Sequence, residues 1–176
     1  MGYRWLVIYS SVTGNTKKVA EAIGGAVDAE IVPVEDAPED VAGYDLVAVG
    51  YWLWRGGPDP KSAVCLARLR NVRVVLFETH ATENRSEHAV TAFARAGTML
   101  GEGCSVIGVF ECQGQVSEAI RKRHESLPPN DPHAKSTGWK TSVGHPDDAD
   151  IENARAFALR VEEKLDRFGR ARDKSA

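Results

Sequence analysis

Four short, predominantly apolar runs punctuate this chain, at residues 5–9, 46–49, 72–77 (broken only by Arg73) and 106–110. They are rich in β-branched residues and lack the alternation of a half-wet strand, so each is predicted to be a strand covered on both faces. A fifth candidate, Glu30-Ile31-Val32-Pro33-Val34, contains a proline, which confines it to a sheet edge. Helical segments fall between the runs. Residues 17–23 are good helix formers, and Asp59-Pro60 pairs an N-cap with a first-turn proline, opening a helix through Ala63, Leu66 and Ala67 towards Asn71. Ser86 is placed to cap a segment in which Ala89, Phe93, Ala96 and Leu100 recur at helical spacing before Gly101. Ile151, Ala154, Ala158, Val161, Leu165 and Phe168 form the apolar stripe of a last helix. Strands alternating with helices in this way predict a parallel, doubly wound α/β sheet.

The length of 176 residues fits one domain, placed at 1–169, with 170–176 a polar tail. One stretch breaks the alternation. Residues 112–146 read as an irregular excursion, with a short helix near 117–127 and then Pro128-Pro129-Asn130-Asp131-Pro132-His133. Such a length of irregular chain in a compact domain is expected to be functional or disordered. A net charge of −3, with both signs mixed, offers no basic footprint for nucleic acid. No apolar run approaches the length of a membrane span, and residues 3–9 are too short and aromatic for a signal peptide. Leu6 breaks the pattern that would follow a myristoylated Gly2. Cys65, Cys104 and Cys112 are odd in number and far apart, as expected of a reduced, cytoplasmic protein without disulfides. His124, His133 and His145 with Cys112 match no recognised ligand spacing, so no metal is expected there.

The chemistry concentrates where strands end. Ser10-Ser11-Val12-Thr13-Gly14-Asn15-Thr16 joins the first apolar run to the first helical segment. Small hydroxylated residues closing onto a helix start gather hydroxyls, unpaired amides and the positive end of the helix dipole, which suits a phosphate group. The loop has neither the Lys of a nucleotide P-loop nor a Gly-x-Gly-x-x-Gly pattern. A turn followed by an ordinary N-cap would read the same way. The loop after the third strand, Tyr51-Trp52-Leu53-Trp54-Arg55-Gly56-Gly57-Pro58, packs three aromatics and two glycines together. Those rings either tuck into the core or serve a ligand. Trp52 and Trp54, two residues apart, would point the same way in extended backbone.

The run Ser11-Val12-Thr13-Gly14-Asn15-Thr16 resembles the flavodoxin phosphate loop, Ser/Thr-x-Thr-Gly-x-Thr, and the Trp-x-Trp-Arg-Gly-Gly-Pro loop stands where flavodoxins place a flavin-flanking aromatic. The resemblance covers the chain from Tyr3 to about Gly114 and marks a divergent branch. It implies a five-stranded sheet in order 2-1-3-4-5 with helices on both faces and the second strand at an edge. It implies noncovalent FMN, with the phosphate on Ser10, Ser11, Val12, Thr13, Gly14, Asn15 and Thr16. Trp52, Leu53, Trp54, Arg55, Gly56 and Gly57 would flank the ring, Trp54 foremost. Thr79, His80 and Ala81, in the loop after the fourth strand, would border its other side.

Four features bear on function. Flavodoxins that carry electrons are typically strongly acidic, whereas this chain would steer poorly towards basic partners. Arg55 would either raise the flavin potential or simply stack on a tryptophan or pair with Asp59. His80 would cover the outer flavin face or give a proton, unless it is merely solvated. Cys112 would be a packed hydrophobe or a thiol near the flavin. Three functions compete: an electron carrier between partner proteins, an FMN-dependent reductase of a small conjugated acceptor such as a quinone, and a binding module without flavin. The sequence shows no nicotinamide fingerprint, so carrier chemistry leads.

Overall fold

The computed structural model describes residues 2–84, 86–131 and 137–173, the side chains of 168–173 excepted. In chain order the elements are β1 (Trp5–Tyr9), α1 (Asn15–Ala26), β2 (Glu30–Pro33), a 3-10 turn (Val34–Asp36), β3 (Leu46–Trp54), β4 (Gly57–Pro58), α2 (Pro60–Arg68), β5 (Arg73–His80), α3 (Glu87–Met99), β6 (Ser105–Gln113), α4 (Glu118–Glu125), α5 (Gly138–Thr141) and α6 (Asp148–Asp173). The sheet runs β2-β1-β3-β5-β6, all parallel, and the two-residue β4 folds back antiparallel onto the end of β3. With β5 and β6 as the fourth and fifth parallel strands, this is the expected 2-1-3-4-5 order. Pro33 sits on the edge strand β2, where its missing N–H costs no ladder bond.

Strand periodicity divides the core in two. Val7, Ala48, Val75 and Phe77 face α1 and α6, packing on Val19, Ile23, Ala158 and Val161. Ile8, Val49, Val74 and Leu76 face the opposite way, against Leu66 of α2 and Ala96 of α3. Phe77 is completely buried, so its replacement by Ala would leave a cavity costing about 3–5 kcal/mol.

The helix starts follow the sequence closely. The Asp59 carboxylate accepts from the amides of Lys61 and Ser62, and the Ser86 hydroxyl accepts from the amide of Ala89. α2 stops at Arg68, short of Asn71, because Leu69 is already extended. β6 departs from the expectation of a strand covered on both faces: Val106 and Val109 are exposed, since β6 forms the outer edge of the sheet. The 112–146 stretch is less irregular than its sequence. Cys112 and Gln113 finish β6, Ser117 caps α4, and α5 buries Trp139. Pro132 and His133 lie outside the described residues, as does the side chain of Phe168.

Candidate functional site

α1 begins differently from the helices around it. Its N-cap is Gly14, at φ +88°, with no side chain capping the first-turn amides and no acidic residue in that turn. Only glycine holds that backbone cheaply. A Cβ at Gly14 would meet nothing within 4 Å, so the space above the helix start is open. The Ser11 hydroxyl beside it is buried and has no hydrogen-bond partner, which is costly unless a ligand supplies one. Open amides at the positive end of a twelve-residue helix, with an unmatched hydroxyl next to them, make a donor set that suits an anion such as phosphate.

The other residues of the loop have separate tasks. The Ser10 hydroxyl donates to the Asp59 carboxylate at 3.0 Å, and the Asn15 amide donates to the Gln115 carbonyl at 2.9 Å. Thr16 is buried, its hydroxyl 2.9 Å from that of Thr79, which ties the loop to the end of β5. Val12 is 77% exposed and Thr13 stands at the rim. Ser11, Thr13 and the α1 amides therefore remain as donors for an anion. Lys17 and Lys61 also line the cavity over the loop, which measures about 440 Å³ and reaches Trp52 and Asp59. Neither lysine belongs to the loop motif. Lys17 could have been found from its place directly after Thr16, whereas Lys61 enters through the packing of α2.

The tryptophan segment is a strand and a tight hairpin rather than a loose loop. β3 continues through Trp54, Arg55 (φ 49°) and Gly56 (φ 77°) make a left-handed two-residue turn, and Leu53 and Trp54 pair with Pro58 and Gly57. That is the geometry of a hairpin whose turn matches strand twist. Tyr51 lies in the core. Trp52 and Trp54 meet edge to face at 5.4 Å on the same side of the strand, with Trp54 42% exposed. Arg55 lies over the Trp54 ring, 5.1 Å from its centre, so of its alternatives the stacked one is seen. Arg95 of α3 donates to the Arg55 carbonyl at 2.9 Å and fixes the turn from below.

β5 carries Thr79 towards α1 and turns Glu78 and His80 to the opposite face. His80 is thus neither solvated nor an outer cover for a ring beside the tryptophans, a correction that strand alternation explains. Its side chain is completely buried, its Nδ1 lies 3.2 Å from the Thr82 carbonyl, and its Nε2 faces Glu111 at 3.5 Å. Burial holds His80 below its ordinary pKa, opposed by Glu111, and burial pushes the Glu78 carboxyl up to about 8. Gln113 donates both to the Thr82 carbonyl and to the Thr141 hydroxyl, so α5 packs over the loop that follows Ala81. Cys112 belongs to the core cluster, and burial pushes its thiol far up, away from redox reactivity.

With this geometry in place, comparison with known proteins is decisive at the level of family. The model of the flavodoxin domain matches residues 6–159. The chain belongs to the flavodoxin domain family. It is similar to the flavodoxin-like domain-containing protein BilS of Clostridioides difficile, 29% identical over 164 residues that span 87% of this chain and 93% of that one. The oxidised flavodoxin 2 of Bacillus cereus superposes with a TM-score of 0.57 at 19% identity, over 92% of this chain and 99% of the other. A Lactobacillus acidophilus flavoprotein in complex with FMN gives 0.50 at 23% identity, over 62% and 93%. These superpositions establish the fold. Among the described residues no helix is long and apolar enough to cross a membrane.

Proposed function

We propose that this flavodoxin-family chain binds FMN noncovalently and passes electrons between partners through it. The observation that carries the reading is the buried, unmatched Ser11 hydroxyl beside the uncapped start of α1, at one end of a cavity whose wall is Trp52. Flavodoxin-fold relatives that include an FMN complex support the same cofactor. Ser11, Thr13 and the first-turn amides would hold the phosphate, with Gly14 leaving it room. Trp52 and Trp54 would flank the ring, and Leu53, Gly56 and Gly57 keep their backbone in place. Thr79 steadies Thr16, while Ala81 belongs to the segment under α5. The flavin supplies the electron chemistry; the protein sets access and potential.

Arg55 supports a second reading, an FMN-dependent reductase of a small conjugated acceptor. Its guanidinium sits at the exposed tryptophan, in a chain of net charge −3 that would steer weakly towards basic protein partners. The cytoplasm, the reducing compartment that free thiols favour, is the proposed location.

Purified protein is expected to be yellow, or to bind added FMN at one equivalent. Colourless protein that ignores added FMN would leave only the flavin-free binding module. Anaerobic titration with a reductant then separates the other two. Electrons taken up one at a time mark a carrier. Direct reduction by a nicotinamide with turnover of a quinone marks an enzyme.

A further inference from the structure

Away from the cavity, the α2–α3 side of the sheet carries a polar row through an otherwise apolar face. Glu78 of β5 stands directly across from Tyr51 of β3 on one side and Glu111 of β6 on the other, and His80 lies two residues beyond Glu78 on the same face. Phe93 of α3 meets the Tyr51 ring edge to face at 6.3 Å. Glu78 is 0% exposed and neither of its oxygens completes a hydrogen bond, although the Tyr51 phenol lies close enough to favour its charged form. Among the described residues no Lys or Arg pairs with it. A carboxyl buried without a hydrogen-bond partner either keeps its proton or takes a cation as its counter-charge.

His80 is oriented to help hold such a cation. In the tautomer that protonates Nδ1, that nitrogen donates to the Thr82 carbonyl at 3.2 Å, with the Thr82 hydroxyl 3.1 Å away. Nε2 then presents its lone pair, without a hydrogen-bond partner, towards the carboxylates. A ring held through one nitrogen while the other faces carboxylates is how metal-ligating histidines are positioned. One ligand atom each from Glu78, His80 and Glu111 lies within 4.8 Å of the others. Small rotamer shifts would close that spread around a cation with bonds of about 2.0–2.2 Å. A cavity of about 640 Å³ beside Asn84, Val90, Phe93 and Val109 reaches Glu111 and supplies an entry.

We propose that Glu78, His80 and Glu111 form a site for one divalent transition-metal cation, placed between β5, β6 and α3. One imidazole with two carboxylates suits zinc, manganese or ferrous iron better than calcium, which takes oxygen ligands alone. The second cluster of this kind, His145, Asp147 and Asp150, is already employed. Asp150 accepts from His145 at 2.5 Å and from the amide of Asp147, while Asp147 accepts from the amide of Asp150, closing the start of α6. The proposal does not depend on flavin binding.

The test is titration calorimetry of chelator-treated protein with Zn²⁺, followed by Co²⁺ absorption to report coordination, with and without FMN. Wild-type protein is expected to bind one equivalent, and Glu78→Gln to weaken binding by about 100-fold or more. Glu111→Gln, at a side chain 16% exposed, should do the same and covers the case in which the Glu78 variant does not fold. Asp150→Asn should leave binding unchanged. Absence of stoichiometric binding by wild-type protein overturns the proposal. Binding that survives both Glu→Gln changes, or that is lost in Asp150→Asn instead, overturns it equally.

Discussion

α1 and α2 start beside each other at the same end of the sheet and line the same cavity, yet their first turns are treated in opposite ways. At α2, Asp59 accepts from the hydroxyls of Ser10 and Ser62 and from two backbone amides, so the chain satisfies that helix start itself. At α1, Gly14 contributes no side chain, and the Ser11 hydroxyl has nothing to bond. A negative charge belongs at both places by the same dipole argument. One is built in. The other is left open, and the proposed phosphate site rests on that contrast more than on either turn alone.

The largest test of that contrast is the double change Ser11→Ala with Thr13→Ala. If each lost donor counts as a charge-assisted hydrogen bond, FMN affinity should fall by about 2–5 kcal/mol in a fluorescence titration. The denaturant midpoint of the flavin-free protein should barely move, because Ser11 bonds nothing in the fold. Unchanged affinity would remove the phosphate assignment. The mirror experiment is Asp59→Ala, which strands four donors and should cost about 2–4 kcal/mol of stability in urea, even without flavin. A loss confined to flavin affinity would reverse the roles given to the two helix starts. A smaller effect is expected from Trp54→Ala, about 0.5–1.5 kcal/mol of FMN affinity, with less quenching of the remaining tryptophan fluorescence. Arg95→Ala is the mildest. Loss of its bond to the Arg55 carbonyl should cost about 0.5–1 kcal/mol of flavin binding, and no change would show that the hairpin holds its shape unaided.

Much of this architecture was readable from residue order. The apolar runs, the proline in β2, the Asp59-Pro60 cap and the Ser86 cap are local signals, and each led to the right element because local and tertiary preferences agree there. The position of the hydroxyl loop was equally plain. Its division of labour was not. Asn15 bonds to Gln115, a hundred residues later, and Thr16 meets Thr79 across the sheet; such pairings follow from register, which one sequence does not display. The tryptophan segment looked like a loop because Arg55-Gly56 was not recognised as a two-residue turn between paired strands. Glu78, His80 and Glu111 escaped for a related reason. Their alternate spacing hinted at one face, but only the alignment of β5 with β6 brings them together.

The hairpin at the end of β3 has an energetic meaning of its own. Because Trp52 and Trp54 are mounted on paired backbone braced by Arg95, the freedom of that wall is surrendered when the chain folds. A planar guest arriving later does not have to freeze a wandering segment, so more of its contact energy survives as affinity. The same stiffness limits how far the surroundings must readjust when the guest changes charge.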